Sequence, residues 1–361
     1  MITIRGNYAE AIIYADAVEP EARRQVQELC DQPFAADSHI RIMPDAHPGK
    51  GCVIGLTMTY TGKIVPNLVG VDIGCGIRTI RIAEKTFDPE RLDRIIRQNI
   101  PSGFNIRKAP HALVERVNLD QLHALARIDR SRAERSIGTL GGGNHFIEVA
   151  KADDELYLLI HSGSRHLGKQ TAEHYQNLAI RGSGPPRHLA YVEGEALGQY
   201  VDDVKIVQEY AAVNRLAMAE TILSHMGWTE VDAFETVHNY VDTKDRIIRK
   251  GAVSARQGQR LIVPINMRDG SLLCVGKGNA EWNFSAPHGA GRVMSRGAAR
   301  KSITMAQYEK SMEGIFSTAV SHATIDEAPF AYKPMQEIVA HIGPAATLLA
   351  VIKPVYNFKA A

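Results

Sequence analysis

Cysteine is scarce in this chain: Cys30, Cys52, Cys75 and Cys274 are the four among 361 residues. They are scattered and form no CxxC pair, which excludes a disulfide framework and leaves them expected as reduced thiols. An excess of one charge is also missing. The formal net charge of +2 gives no global argument for a nucleic-acid partner, so any basic surface must be local. No apolar run approaches the roughly 18–20 residues that span a bilayer, and residues 1–5 lack the basic-then-apolar order of a secretory leader. These absences set the expectation of a cytoplasmic protein without a membrane partner. Internal repeats, low-complexity tracts and obvious linkers are missing from the sequence as well.

What is present is a hydrophobic fraction of 45% and a charged fraction of 23%, the balance of a globular chain able to bury a large core. The pattern predicts a strand over 1–4 and a helix over 19–29, with Val26 and Leu29 on one face. Glycine-rich loops and strands follow over 40–82, then helices over 89–98 and 113–131. The apolar run 156–160 reads as a buried strand delivering a loop at His161. Residues 171–223 read as helical, broken by an exposed loop at 182–186. Strands and glycine turns return over 249–300, and a further helical stretch leads to an apolar, strand-like tail over 348–358. The informative blocks run from residue 45 to residue 288, which favours one interleaved α+β domain over 1–361.

Chemistry-bearing residues fall in five blocks. Val71-Asp72-Ile73-Gly74-Cys75-Gly76 sets an acid and a thiol three apart in a turn that glycine lets close tightly. A metal-bound thiol is deprotonated and can bridge two cations; the same turn alone also fits a buried structural cysteine beside a capping aspartate. Gly141-Gly142-Gly143-Asn144-His145 places an imidazole after three glycines whose N–H groups can face an anion, with Glu148 three positions on. His161-Ser162-Gly163-Ser164-Arg165 gathers an imidazole, two hydroxyls and a guanidinium suited to phosphate oxygens. His238-Asn239 follows an amphipathic stretch. His288-Gly289-Ala290-Gly291-Arg292 joins a histidine able to attack phosphorus to an arginine able to stabilise developing charge. Each histidine by itself is more often a satisfied core or surface residue. Together, one thiol, one carboxylate and several imidazoles make a mixed donor set suited to Mn, Fe, Co or Zn. Ligands dispersed among glycine loops and arginines favour catalysis over a closed structural zinc site. His47 and His166 lie within these blocks and are intermediate; the other histidines read as ordinary core or surface residues.

Several stretches resemble, in order, the motifs of the RtcB family of GTP-dependent RNA-splicing ligases. They are Met43-Pro44-Asp45-Ala46-His47-Pro48-Gly49-Lys50-Gly51, Gly70 through Gly76, Gly141 through Glu148, His161 through Arg165, and His238-Asn239. Arg249-Lys250-Gly251-Ala252, His288 through Arg292, Asp326-Glu327-Ala328-Pro329, Ala331-Tyr332-Lys333 and Lys359 continue the match. The resemblance implies an α+β fold with mixed β-sheets flanked by helices around a central dimetal cleft. It implies a ligase joining RNA 3′-phosphate or 2′,3′-cyclic phosphate ends to 5′-hydroxyl ends, in RNA repair or tRNA splicing. GTP and two Mn²⁺ are its implied cofactors, and an archease-type protein is a candidate activator.

Carried over by motif, Cys75 bridges the two metals, Asp72 and His145 complete one, and His161 and His238 complete the other. His288 takes GMP as a phosphoramidate. Asn144 and Glu148 contact the nucleotide phosphates or the metal shell, Arg292 belongs to the nucleotide site, Lys359 contacts guanine, and Asp45 supports the site. Arg165, Arg292, Arg296 and Lys301 are candidates for a local RNA surface. Departures accompany the match. Pro264 is followed by Ile265-Asn266-Met267-Arg268, where a Gly-Ser-Met-like turn is expected, and His166 replaces an expected glycine. The chain is also shorter than the commoner members, as a trimmed paralogue would be. Two rivals follow: a metal-dependent cyclic phosphodiesterase that does not ligate, and a non-catalytic RNA-end-binding protein.

Overall fold

The computed structural model describes residues 1–182 and 184–360. Its larger sheet has seven strands, in spatial order Glu230–Val237, Gly76–Ile82, Glu155–Ser162, Phe146–Ala152, Ala346–Lys359, Gly270–Gly276 and Arg260–Asn266. All neighbours in it are antiparallel. The sheet curls until its two edge strands meet, Ile262 N donating to Thr236 Oγ1 at 3.2 Å. The second sheet orders Ile2–Arg5, Glu10–Ile13, Ile40–His47, Ile54–Thr59, Ile247–Lys250 and Asn239–Asp242. Its one parallel pair, Glu10–Ile13 with Ile40–His47, is joined by the crossover helix Pro20–Cys30, as a parallel pair requires.

Both faces of the larger sheet are covered, which explains why residues 156–160 read as an unbroken apolar run. Leu156, Leu158 and Ile160 pack with Met218 and Ile222 of the helix Gly194–Met226. Tyr157 and Leu159, on the other face, pack with Ile262 and Ile352 across the curl. The same helix places Val204, Val207 and Tyr210 against Ile40, Ile42 and Leu56 of the second sheet. One helix thus serves the cores of both sheets. No helix among the described residues is long and apolar enough to cross a membrane.

Most predicted elements are present, including Pro20–Cys30, Pro89–Asn99 and the long final strand Ala346–Lys359. The helix expected over 113–131 is not. Short 3₁₀ turns at Ala112–Arg116, Leu119–Gln121 and Leu125–Arg127 stand there, followed by the helix Arg130–Ser136. The cause is tertiary: the buried Asp203 carboxylate accepts from His123 N at 2.7 Å and Ala124 N at 3.0 Å, removing two donors that an α-helix would need. The helical region expected over 171–223 comprises Arg165–Gly182 and Gly194–Met226. In the loop predicted between them, Ser183 lies outside the described residues.

Candidate metal and nucleotide site

Strand register gathers the donors. Gly76 pairs with Val237 on one side and Ser162 on the other. One step along, Ile77 faces His161, His161 faces Phe146, and Phe146 faces Lys359. This row crosses five strands at one end of the sheet. His161 lies on it, and Cys75, His145 and His238 each stand one residue outside a strand terminus on it. His238 is also the single residue between Glu230–Val237 and Asn239–Asp242, where the chain passes from one sheet to the other. Its N–H donates to Cys75 O at 2.9 Å, while Cys75 N donates to Asp72 O at 3.1 Å, closing the acid–thiol turn. Gly163 allows the approach of Asp72, because a Cβ there would lie 2.1 Å from its carboxylate.

Two groups of ligand atoms share Cys75: Asp72, Cys75 and His145, and Cys75, His161 and His238, each within 4.8 Å. His161 Nδ1 donates to Asn144 O at 3.1 Å, so its Nε2, 3.4 Å from Cys75 Sγ, carries a bare lone pair. His145 Nδ1 lies 2.9 Å from Leu140 O and 3.2 Å from Arg165 Nη1. One nitrogen cannot donate to the first and accept from the second, and the shorter carbonyl contact places the proton on Nδ1. His145 Nε2 then faces Asp72 Oδ2 at 3.0 Å and Cys75 Sγ at 3.4 Å. His238 Nδ1 is buried with no hydrogen-bond partner.

Electrostatics points the same way. Burial, then the neighbouring imidazoles, holds His161 and His238 well below the ordinary histidine value, so both are neutral. Burial opposes ionisation of Asp72, yet positive charge beside it, from His145 when its ring is protonated and from Arg165, outweighs it and brings the carboxyl to about 2; with His145 neutral, a cation between the two takes that part. Burial and the charge of Asp72 push the Cys75 thiol well up. Lone pairs, a carboxylate and a sulfur buried face to face repel unless cations join them. The donor set therefore fits two metal ions sharing Cys75.

The pocket is braced by residues without a sequence motif. Arg215, fully buried on Gly194–Met226, donates to Gly74 O and Ser162 O, both at 2.8 Å, and to Glu235 Oε2 at 2.7 Å. One guanidinium nitrogen thus ties the Asp72–Cys75 turn to the His161 loop. Asn214 beside it accepts from Gly138 N and Thr139 N and donates to Gly163 O.

Beside the cluster lies a cavity of ≈ 440 Å³ whose wall includes Asn144, His161, His238, His288 and Lys359. A second, of ≈ 250 Å³, shares Asn144, His238 and His288 and adds Asp72, Cys75, Lys50 and Lys250. His288 therefore faces both. Its Nδ1 donates to Asp45 Oδ2 at 2.6 Å, and the same oxygen accepts from His288 N and Gly289 N at 3.1 and 3.2 Å. Only glycine fits at 291, since a Cβ there would sit 2.2 Å from Asp45 O and φ is +76°. In the larger cavity, Glu148 Oε2 accepts from Asn357 Nδ2 at 2.7 Å while Oε1 has no partner. Burial raises its carboxyl to about 7. Lys359 Nζ pairs with Glu327 at 2.7 Å, and Arg296 and Arg292 meet the same carboxylate at 2.7 and 3.3 Å. Burial opposes the charge on Glu327, but Lys359 and Arg296 hold it at about 2.

The structure thus brings together Asp72, Cys75, His145, His161, His238, His288, Asn144, Glu148, Arg292 and Lys359. Asp45 supports His288, and His47 borders the larger cavity with Nδ1 3.0 Å from Asp45 O. His166 is a helical residue that lines neither cavity. Arg165 packs on His145, Arg292 and Arg296 are engaged by Glu327, and Lys301 remains exposed. Sequence reasoning missed Asn214, Arg215 and Asn357. The signal for Arg215 was a lone guanidinium amid Val213, Ala217 and Met218.

The family model described as tRNA-splicing ligase RtcB matches residues 25–127 and 107–360. An RNA-splicing ligase RtcB of Escherichia coli (strain K12) is 34% identical over 369 aligned positions, covering 90% of each chain. A tRNA-splicing ligase RtcB of Aeropyrum pernix is 29% identical over 460 positions, covering 96% of this chain and 94% of its own. An RNA-splicing ligase RtcB2 of Escherichia coli (strain ATCC 25922) is 27% identical, covering 88% of this chain. Matched along nearly its whole length and carrying a thiol–histidine–carboxylate cluster beside a cavity that His288 faces, the chain belongs to the RtcB family.

Proposed function

We propose that this chain is an RNA ligase that joins 3′-phosphate or 2′,3′-cyclic phosphate ends to 5′-hydroxyl ends, using GTP and Mn²⁺. On this reading residues 1–361 act as one ligase domain in RNA repair or tRNA splicing. The observation that carries it is His288: a carboxylate holds its Nδ1 proton, leaving Nε2 bare at a wall shared by two cavities. GTP fits the larger cavity, among Glu148, Arg292 and Lys359, and the RNA end fits the smaller, beside Lys50 and Lys250. Mn²⁺ held by the Cys75-centred groups supplies Lewis acidity at phosphate oxygens and an activated water for opening a cyclic phosphate.

His288 Nε2 attacks the α-phosphorus of GTP; an N–P bond forms, the anhydride P–O bond breaks, and pyrophosphate leaves. Asp45 offsets the positive charge that develops on the ring. An oxygen of the RNA 3′-phosphate then attacks the same phosphorus, and the N–P electron pair returns to Nε2. The RNA phosphate now has a leaving group. The 5′-hydroxyl oxygen attacks the RNA phosphorus, the P–O bond to GMP breaks, the hydroxyl proton leaves with the GMP phosphate, and the strand is joined. Incubation with α-labelled GTP and Mn²⁺ tests the reading: label is expected on wild type and absent from His288→Ala, and an unlabelled wild type would overturn it.

One observation favours the cyclic phosphodiesterase as a second reading. Asn266 Oδ1 accepts from Arg268 N at 3.0 Å and Asp269 N at 2.8 Å, and its Nδ2 donates to Asp269 Oδ2 at 2.8 Å. Its amide is spent inside the loop, and Ile265 and Met267 give the cavity apolar walls. Opening of a 2′,3′-cyclic phosphate with no GMP transfer would favour that reading.

A further inference from the structure

Phe104 is 94% exposed, more than any other large hydrophobic side chain among the described residues. The backbone of its neighbours, by contrast, is hydrogen-bonded. Gly103 N donates to Gly141 O and Leu140 N to Pro101 O, both at 2.9 Å, and Asn105 N donates to Ser102 O at 3.2 Å. The phenyl ring is therefore carried by a loop stitched to the Leu140–Gly141 segment. That segment fixes His145 through the Leu140 carbonyl and leads directly to Asn144. A ring so placed does nothing for the core, yet its position relative to the metal-binding cluster is set.

Phe104 borders a groove of ≈ 410 Å³ with Arg97, Ser102, Asn105, Ser321 and Lys359 among its walls. No acidic side chain lines it, and Lys359 belongs equally to the cavity that holds His288. Arg97 is paired with Asp93 at 2.8 Å and Lys359 with Glu327 at 2.7 Å, so the groove is only mildly cationic. Hydroxyl and amide groups dominate the rest of the wall. A protein partner would want a broader apolar patch around the ring. A single-stranded nucleic acid wants what is present: one π-face, hydrogen-bonding groups and modest positive charge.

We propose that Phe104 is a stacking platform for an unpaired RNA base, carried on a loop tied to the Leu140–Gly141 segment that leads to Asn144, a residue of both cavities that His288 faces. The inference rests on the ligase reading for its substrate but concerns a residue that reading does not use. Duplex RNA keeps its base faces stacked inside the helix, so the platform selects single strands near the end.

The test uses full-length protein with a 3′-phosphorylated single-stranded RNA decamer, a blunt duplex of the same sequence, and Mn²⁺. Phe104→Ala and Phe104→Leu are expected to raise KM for RNA roughly tenfold with kcat unchanged, whereas Phe104→Trp retains wild-type KM. Labelling of His288 by GTP is expected to be the same in all four proteins. Because Trp228 and Trp282 are buried, emission from Phe104→Trp should be quenched by the single strand and not by the duplex. Wild-type KM in Phe104→Ala or Phe104→Leu, or emission indifferent to RNA, overturns the proposal. If wild type takes no GMP, the ligase reading fails on its own. The anisotropy-measured affinity of the decamer for wild type against Phe104→Ala then still decides the role of Phe104.

Discussion

Asp45 uses one oxygen three times and leaves the other without a partner: Oδ2 accepts from two backbone N–H groups and from the His288 ring, and Oδ1 is an orphan. Asp45→Asn keeps the shape but removes the charge that matches an imidazolium, so GMP attachment to His288 is expected to slow by about 10- to 100-fold. Intermediate quench of α-labelled GTP measures it, and a normal rate would show that Asp45 only positions the loop. Glu148 makes a different point. Its carboxyl ordinarily titrates near 4.5 and is raised by burial to about 7 in the folded chain. The folded state then holds a proton that the unfolded state has released, so this stability is complete below 4.5 and is lost as pH rises to 7. The shift corresponds to about 3 kcal/mol. Urea unfolding of metal-free protein is expected to show wild type losing about this much relative to Glu148→Gln between pH 4.5 and 7, with no further divergence above. A constant difference across that window would contradict the burial argument.

At the scale of elements, the helix Gly194–Met226 is the part that makes the motifs into a site. Arg215 joins the Asp72–Cys75 turn to the His161 loop. Arg215→Met removes the donor to two carbonyls and to Glu235 Oε2, leaves Glu235 with Arg78 alone, and is expected to cost about 3–5 kcal/mol and to weaken metal binding about 10- to 100-fold. Equilibrium unfolding and metal titration read the two effects separately; unchanged metal affinity would confine Arg215 to stability. The contrast explains what the sequence made legible. Asp72, Cys75, His145, His161, His238 and His288 stand out because each lies in or beside a loop, and all but His238 lie within two residues of a glycine. Asn214, Arg215 and Asn357 lie inside regular elements, where only the packing of helix on sheet and the strand register turn them inward. The helix expected over 113–131 failed for a related reason. Its residues have adequate helical pattern, but Asp203, some eighty positions away, takes two of their N–H groups. No local window contains that partner.

Across the whole molecule, the cluster stands where the two sheets are joined, since His238 alone separates a strand of one from a strand of the other. Cations bound there connect the Asp72–Cys75 turn, the Asn144–His145 loop, the end of Glu155–Ser162 and the crossover between sheets. Metal binding must then raise global stability, because the unfolded chain cannot hold these distant donors together. At a concentration one hundred times Kd, each site contributes about 2.7 kcal/mol, which raises Tm by several degrees in a chain of this size. The shared thiol makes the increments separable. His145→Ala keeps the group of Cys75, His161 and His238 and is expected to retain part of the Mn²⁺-dependent rise and one bound ion. Cys75→Ala belongs to both groups and is expected to lose the whole rise and both ions. Thermal melts with Mn²⁺ against chelator, paired with elemental analysis of the bound metal, distinguish the cases. Equal losses in the two variants would mean that Cys75 serves one ion only, and a full rise in Cys75→Ala would remove the metal from this cluster altogether.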